Sequence, residues 1–220
     1  PGYGELASGL MGEGRMAEPE AILEFLTNEL KKKLPLRGKK ALVTAGPTYE
    51  AIDPVRFIGN HSSGKMGFAI AKELASLGAS VVLISGPTSL RIDHSNINRI
   101  DVSSASEMLE AALNNFPGTD IAILSAAVAD YRPKDISPTK IKKDSSEFVI
   151  DLVKTPDILA TLGKEKKIGQ ILVGFALETN NEEENAVLKL QKKNLDFIVL
   201  NSLKDEGAGF KNDSNKITII

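Results

Sequence analysis

Short apolar runs that alternate with amphipathic helical segments constrain this chain more than any other feature. KKALVTAGPT and SVVLISGPT read as strands running into Gly-Pro turns, and DIAILSAAVAD, FVIDLV, QILVGFALE and DFIVLN read as further strands. Between the first two, SSGKMGFAIAKELASLGA places Met66, Phe68, Ile70, Leu74 and Leu77 at helical spacing and stops at Gly78, a residue suited to a helix C-terminus. Residues 103–115 form a second helix with Ser and Glu near its start, TPDILATLG a short third and EEENAVLKLQKKN an amphipathic fourth. This alternation predicts an α/β fold, a mostly parallel sheet with helices on both faces.

Two stretches break the rhythm. The opening PGYGELASGLMGEGRM has five glycines in its first fourteen residues and reads as irregular. After it, Pro19 opens a helix through Ile22, Leu23, Leu26 and Leu30 that ends on Lys31, Lys32 and Lys33, where cations suit the helix dipole. Residues 131–146, YRPKDISPTKIKKDSS, carry prolines, lysines and serines without an apolar period and read as a long mobile loop. Loops of that length are more often functional than incidental.

The 220 residues suit one good-sized α/β domain, or one domain plus an appendage. A net charge of −2 gives no pull toward nucleic acid or an anionic membrane, so neither is an expected partner. No apolar run reaches transmembrane length and no signal pattern opens the chain, so the expected location is the cytoplasm. Zero cysteines exclude disulfides, thiolate metal sites and a cysteine nucleophile. The two histidines, His61 and His94, lack zinc-motif spacing, and no protein-held metal is expected.

FIGNHSSGKMGF, residues 57–68, comes one side chain short of a phosphate-binding P-loop: Gly59, Gly64 and Lys65 fit, but Met66 stands where a magnesium-ligating hydroxyl belongs. Fourteen residues also separate the first strand from Gly59, where a P-loop follows its strand directly. A P-loop NTPase is therefore rejected. Two readings remain for Ser62, Ser63 and Gly64: an ordinary serine N-cap, or an anion site at a helix start, with Gly64 and Gly67 allowing close approach. The GPT turn at 46–48, at a strand's carboxyl end, favours the anion site, because ligands of open α/β sheets bind at such ends. Gly86 and Pro87 of the second GPT turn are read as closing a strand. Neither turn is a G-x-G-x-x-G fingerprint.

TAGPTYEAIDPVRFIGNHSSGKMG, AAVADYRPKDISPTKIKK, KTPDIL and GFALETNN, in that order, resemble the bacterial phosphopantothenate–cysteine ligases over about residues 38–215. The resemblance implies a Rossmann-like sheet, a homodimer, and ligation of 4′-phosphopantothenate to L-cysteine through an acyl-cytidylate made from CTP, with Mg²⁺ carried on the nucleotide. GELASGLMGEGRMAEP resembles the C-terminal tail of the partner decarboxylase, whose FMN-binding body is absent here; Ser8 stands where that tail has a catalytic cysteine. Residues 1–37 are thus expected to be a decarboxylase remnant plus linker helix, and 38–220 the ligase domain, with truncation at its C-terminal end as an open reading.

The same resemblance distributes roles. Asn60 becomes the carboxamide that turns over the acyl-cytidylate, and Lys140 a loop lysine that closes over the triphosphate. Leu124, Ser125, Ala126 and Asp130 hold the cytidyl part. Pro156, Asp157, Ile158, Leu159 and Phe175 enclose the base, and Lys189 and Lys193 reach the phosphates. Gly46, Ser62, Gly64 and Gly67 supply phosphate-facing backbone, while Asn60 and Ala127 meet the phosphopantothenate and Arg56 reaches its phosphate across the dimer interface. From the residues alone, Lys189, Lys193 and the Lys140 run read as solvated surface, Phe175 as core, Asp130 as a turn cap and Arg56 as a surface ion pair. A catalytically silent CTP-binding or dimer scaffold is the second hypothesis. An NAD(P)-dependent oxidoreductase is the weaker third, disfavoured by the missing glycine fingerprint and the missing Tyr-x-x-x-Lys pair.

Overall fold

The computed structural model describes residues 2–142, 148–178, 180–202 and 216–220. In chain order the elements are β1 (Gly2–Glu5), β2 (Met11–Arg15), α1 (Pro19–Lys32), β3 (Lys40–Ala45), β4 (Tyr49–Ala51), β5 (Phe57–Gly59), α2 (Lys65–Ser76), β6 (Ser80–Ser85), β7 (Ile97–Asp101), α3 (Ala105–Asn115), β8 (Ile121–Leu124), β9 (Tyr131–Pro133), β10 (Leu152–Lys154), α4 (Ile158–Glu165), β11 (Ile171–Glu178), α5 (Glu182–Lys192), β12 (Phe197–Ser202) and β13 (Ile217–Ile219).

Seven strands form the central sheet in the order β13-β12-β11-β8-β3-β6-β7. All neighbours pair in parallel except β13, which runs antiparallel to β12. This is the mostly parallel α/β sheet expected from the strand–helix alternation, and it is Rossmann-like, as the resemblance implies. The chain winds outward from β3 to β6 and β7, then returns to β8 and winds the other way. The direction reverses between β3 and β8, and a crevice opens at such a switch point.

The alternating side chains of β3 explain the two layers. Ala41, Val43 and Ala45 pack with Phe68, Ala71 and Ala75 of α2 on one face. Leu42, on the opposite face, joins Met108 and Ala112 of α3, Leu162 of α4, Ala186 of α5 and Ile198 of β12. Burial on both faces is why these strands read as continuous apolar runs.

The structure corrects several local expectations. The glycine-rich opening is not irregular: β1 and β2 form an antiparallel hairpin, with exposed Ser8 in its turn. Glycine-rich, two-sided polar strands carry no clear alternation, which hides them from a periodicity argument. The 131–146 segment is not structureless either. Its first residues form β9, which pairs with β10, while 143–146 lie outside the described residues. FVIDLV yields a strand only over Leu152–Lys154, and DIAILSAAVAD only over Ile121–Leu124, the remainder leaving the sheet toward the crevice. The β4–β5 hairpin, β7 and β13 are additional to the expected strands. Helix α1 buries none of its side chains, and Leu23, Phe25, Leu26 and Leu30 are all exposed.

Candidate active site

At the reversal point, two chain segments continue beyond the sheet and bind each other. The Ser125 hydroxyl donates to the Thr44 carbonyl at 2.7 Å, and the Ala126 N–H donates to the Thr44 hydroxyl at 3.3 Å. The Ala127 N–H then reaches the Gly46 carbonyl at 2.9 Å, and the Ala129 N–H the Thr48 hydroxyl at 3.0 Å. Residues 46–48 and 125–129 thus form one backbone floor. The Leu124 side chain points away into the core.

Helix α2 starts directly beside this floor. A Cβ on Gly67 would meet the Ala45 Cβ at 2.5 Å and the Ser125 Oγ at 2.7 Å, so the missing side chain lets the first turn of α2 lie against the strand ends. The N-cap is Gly64, in the left-handed region at φ +78°, not a serine. Ser62 Oγ instead accepts from the Gly64 N–H at 3.3 Å, and Ser63 Oγ from the Lys65 N–H at 3.4 Å. The serines therefore brace the turn into the helix. Among the described residues, the N–H groups of Met66 and Gly67 have no hydrogen-bond partner, and they lie at the positive end of α2.

The second GPT turn buttresses this arrangement, beyond closing its strand. A Cβ on Gly86 would fall 1.6 Å from the Pro47 carbonyl oxygen, and one on Gly46, at φ +76°, would lie 3.1 Å from the Gly86 carbonyl oxygen. The Thr88 hydroxyl donates to the Ser63 carbonyl at 3.0 Å. Strand spacing gave no sign of Thr48 or Thr88, because their roles depend on the two turns meeting.

Asn60, exposed between β5 and α2, donates from Nδ2 to the Val128 carbonyl at 2.9 Å. Its Oδ1 remains available as an acceptor on the floor's edge. The opposite wall comes from α4, α5 and β11. Thr155 bonds Asp130 and Ala129 through its N–H (3.0 Å) and hydroxyl (2.6 Å). Asp157 caps α4 by accepting from the Ala160 N–H at 2.9 Å, and pairs with Lys193 at 2.9 Å. Burial raises the Asp157 pKa, but the Ala160 N–H and the Lys193 ammonium outweigh it and leave the carboxyl below its ordinary range. Lys189 Nζ donates to the Phe175 carbonyl at 2.7 Å, so both lysines turn toward the same end of the sheet. Ile158 and Leu159 are buried in the core and offer the crevice backbone alone, whereas Pro156 and Phe175 are half-buried. Asp130 and Lys140 are exposed, and the described residues hold no ion-pair partner for either.

Arg56 is half-buried and occupied within its own chain. Nε donates to Asp53 Oδ2 at 3.0 Å, and Nη2 contacts the same oxygen and the Ile141 carbonyl, the latter at 2.9 Å. Nη1 has no hydrogen-bond partner among the described residues, and the guanidinium carbon lies 5.8 Å from the centre of the Phe148 ring. Asp53 is the main residue that sequence reasoning missed. Its signal was the D-P-V-R spacing, an acid three residues ahead of the arginine. Among the described residues, no three of His, Asp and Glu cluster as a metal site, and no helix is long and apolar enough to cross a membrane.

Comparison with known proteins matches residues 36–220 to the family described as DNA/pantothenate metabolism flavoprotein C-terminal domain. The chain is 58% identical to a protein of an unknown prokaryotic organism named cysteine/cysteine sulfinic acid decarboxylase, covering 100% of this chain and 62% of that one. It is 48% identical to the coenzyme A biosynthesis bifunctional protein CoaBC of Bacillus subtilis, covering 100% of this chain and 54% of the relative. The chain thus spans little more than half the length of these curated relatives. Among solved structures, the crystal structure of the C-terminal domain of a CoaBC protein superposes with a TM-score of 0.69 at 43% identity, covering 86% of this chain and 88% of that one.

Proposed function

This chain belongs to the DNA/pantothenate metabolism flavoprotein C-terminal domain family, and on that premise we propose that it performs the ligase step of coenzyme A biosynthesis. The reaction joins 4′-phosphopantothenate to L-cysteine at the expense of CTP. The observation that carries this reading is the joining of two walls at one switch point: the Gly46–Gly64–Gly67 and Asn60 side, and the Asp157–Lys193–Lys189 side, share the floor at 125–129.

In the first step a carboxylate oxygen of phosphopantothenate attacks the α-phosphorus of CTP, the bond to the β-phosphate oxygen breaks, and pyrophosphate leaves. In the second, the cysteine amine attacks the acyl carbon, the bond to CMP breaks, and the amine gives up a proton. Neither step needs a protein nucleophile, so the chain's task is positioning and charge neutralisation. Backbone N–H groups at the start of α2, with Lys189, Lys193 and Lys140, would meet the phosphates. Ser125, Ala126 and Asp130 would hold the cytidine, with Pro156 and Phe175 against its base. Asn60, held by Val128, would present Oδ1 to the incoming amine. Arg56 would offer Nη1 to the phosphopantothenate phosphate, and Ala127 would line the same substrate.

Mg²⁺ enters as part of the CTP complex and supplies charge neutralisation on the triphosphate. Residues 1–37 are assigned to the tail of a preceding decarboxylase unit, and FMN belongs to that unit. We also assign the chain to a cytoplasmic homodimer. The test is a mixture of purified chain, CTP, Mg²⁺, 4′-phosphopantothenate and cysteine, followed by pyrophosphate release. Turnover with CTP in preference to ATP is expected. Thermal stabilisation by CTP without turnover would reduce the chain to a binding module, and the absence of both turnover and stabilisation would sink the reading altogether.

A further inference from the structure

The Asp53 side chain is fully buried, and among the described residues every hydrogen bond it accepts comes from Val55, Arg56 or the distant Ile141. Oδ1 accepts from the Val55 N–H at 2.8 Å and the Arg56 N–H at 2.9 Å. Oδ2 accepts from Arg56 Nε at 3.0 Å, from Arg56 Nη2, and from the Ile141 N–H at 3.1 Å. Arg56 Nη2 closes the ring by donating to the Ile141 carbonyl at 2.9 Å. One ion pair therefore clamps both polar groups of a residue 88 positions away. A buried carboxylate is tolerated only with this degree of pairing, and charge-assisted bonds are the stronger kind.

The clamped residue follows Lys140 directly. Among the described residues, two further bonds tie the 134–142 strap to the body, Lys134 N–H to the Asp151 carbonyl at 2.8 Å and Ser137 N–H to the Ile52 carbonyl at 3.0 Å. Both are neutral backbone bonds. The Asp53–Arg56 pair is the charged fastening, and it lies closest to Lys140 in the chain.

We propose that Asp53 is a positioning residue whose carboxylate locks Arg56 and the Lys140 strap into one unit, presenting two cationic groups to anionic substrates in a fixed relation. The fastening stands on geometry; what Lys140 and Arg56 then bind rests on the ligase reading above. Asp53 itself touches no substrate. It acts through the two residues that do.

The experiment is hydrogen–deuterium exchange on the ligand-free full chain. In Asp53→Asn the peptide covering 134–142 is expected to exchange about tenfold faster or more, the size of a lost charge-assisted bond, while the β3 peptide keeps its protection. If Asp53→Asn loses protection throughout, Ile141→Pro decides, because it deletes one N–H donor and leaves Asp53 and Arg56 intact. Unchanged exchange of the strap in the folded variant would overturn the proposal. A kinetic arm compares Lys140→Gln in the wild-type and Asp53→Asn backgrounds. Positioning predicts that the lysine change costs much less once Asp53 is gone, with the loss expressed in KM for CTP. Independent, multiplying losses would show a purely structural residue. If the wild-type chain makes no pyrophosphate, the ligase reading fails, and the exchange result still decides the fastening.

Discussion

Asn60 and Val128 are joined by a 2.9 Å bond from carboxamide to backbone carbonyl, which ties the loop entering α2 to the chain leaving β8. The bond uses the donor half of the amide and leaves the acceptor half facing the crevice. Asn60→Asp replaces the donor with a charged acceptor opposite a carbonyl. On the ligase reading we expect consumption of the acyl-cytidylate to slow by about tenfold or more, the cost of one lost hydrogen bond and a new repulsion, with formation less affected. Rapid quench with separate measurement of intermediate and pyrophosphate checks this; equal losses in the two steps would make Asn60 structural only.

Gly67→Ala tests the contact between α2 and the strand ends. The new methyl would fall 2.5 Å from Ala45 Cβ and 2.7 Å from Ser125 Oγ, so the helix start must shift. A destabilisation of about 1–3 kcal/mol is expected in urea, typical of overpacking. Gly118→Ala, whose nearest neighbour is the Lys40 Nζ at 4.0 Å, is the control and should fall within about 0.5 kcal/mol of wild type.

Lys193 and Asp157 separate stability from binding. Their pair is partly exposed, so Lys193→Ala should cost no more than about 1 kcal/mol in the ligand-free chain. Asp157→Ala also removes the α4 cap and should cost about 1 kcal/mol more. On the ligase reading Lys193→Ala nonetheless weakens CTP binding by about tenfold, the value of one charged contact to phosphate. Thermal scans with and without CTP read both effects, and an unaltered CTP shift would remove Lys193 from the site.

The Asp53 fastening sets a pH expectation. The Arg56 side chain, foremost, and the backbone N–H groups of Val55, Ile141 and Arg56 hold the Asp53 carboxyl far below the usual carboxylate range, against the opposing effect of burial. A depressed folded pKa means that its stabilisation is fully present above the unfolded value, about 3.9, and fades as pH falls below it. Strap exchange, corrected for its chemical pH dependence, should therefore stay flat from about pH 5 to 8 and rise only in more acid solution. Loosening near neutrality would contradict this.

The core strands were legible because each is buried on both faces and so spells an apolar run. Leu42 and Val43 announce β3 even though they point to opposite helices. β7, INRID, stayed hidden because an edge strand keeps polar residues, and the β4–β5 hairpin because its strands are three residues long. Asn60, Lys189 and Lys193 were legible as a set only through family resemblance, since each alone is an ordinary surface side chain. Asp53 escaped altogether. Its importance depends on Ile141 coming to it through the folding of a distant strap, which no local spacing encodes.

The Pro47 carbonyl oxygen fills the space that a side chain at position 86 would need, and Gly46 in turn lies under the Gly86 carbonyl. Two loops that interlock this way leave no room for gradual variation: a larger residue in either demands a simultaneous rearrangement of the other. On the ligase reading, divergence in which base a descendant of this chain accepts is then written across the crevice, at Pro156, Asp157 and Phe175. A library aimed at new nucleotides should concentrate its diversity there.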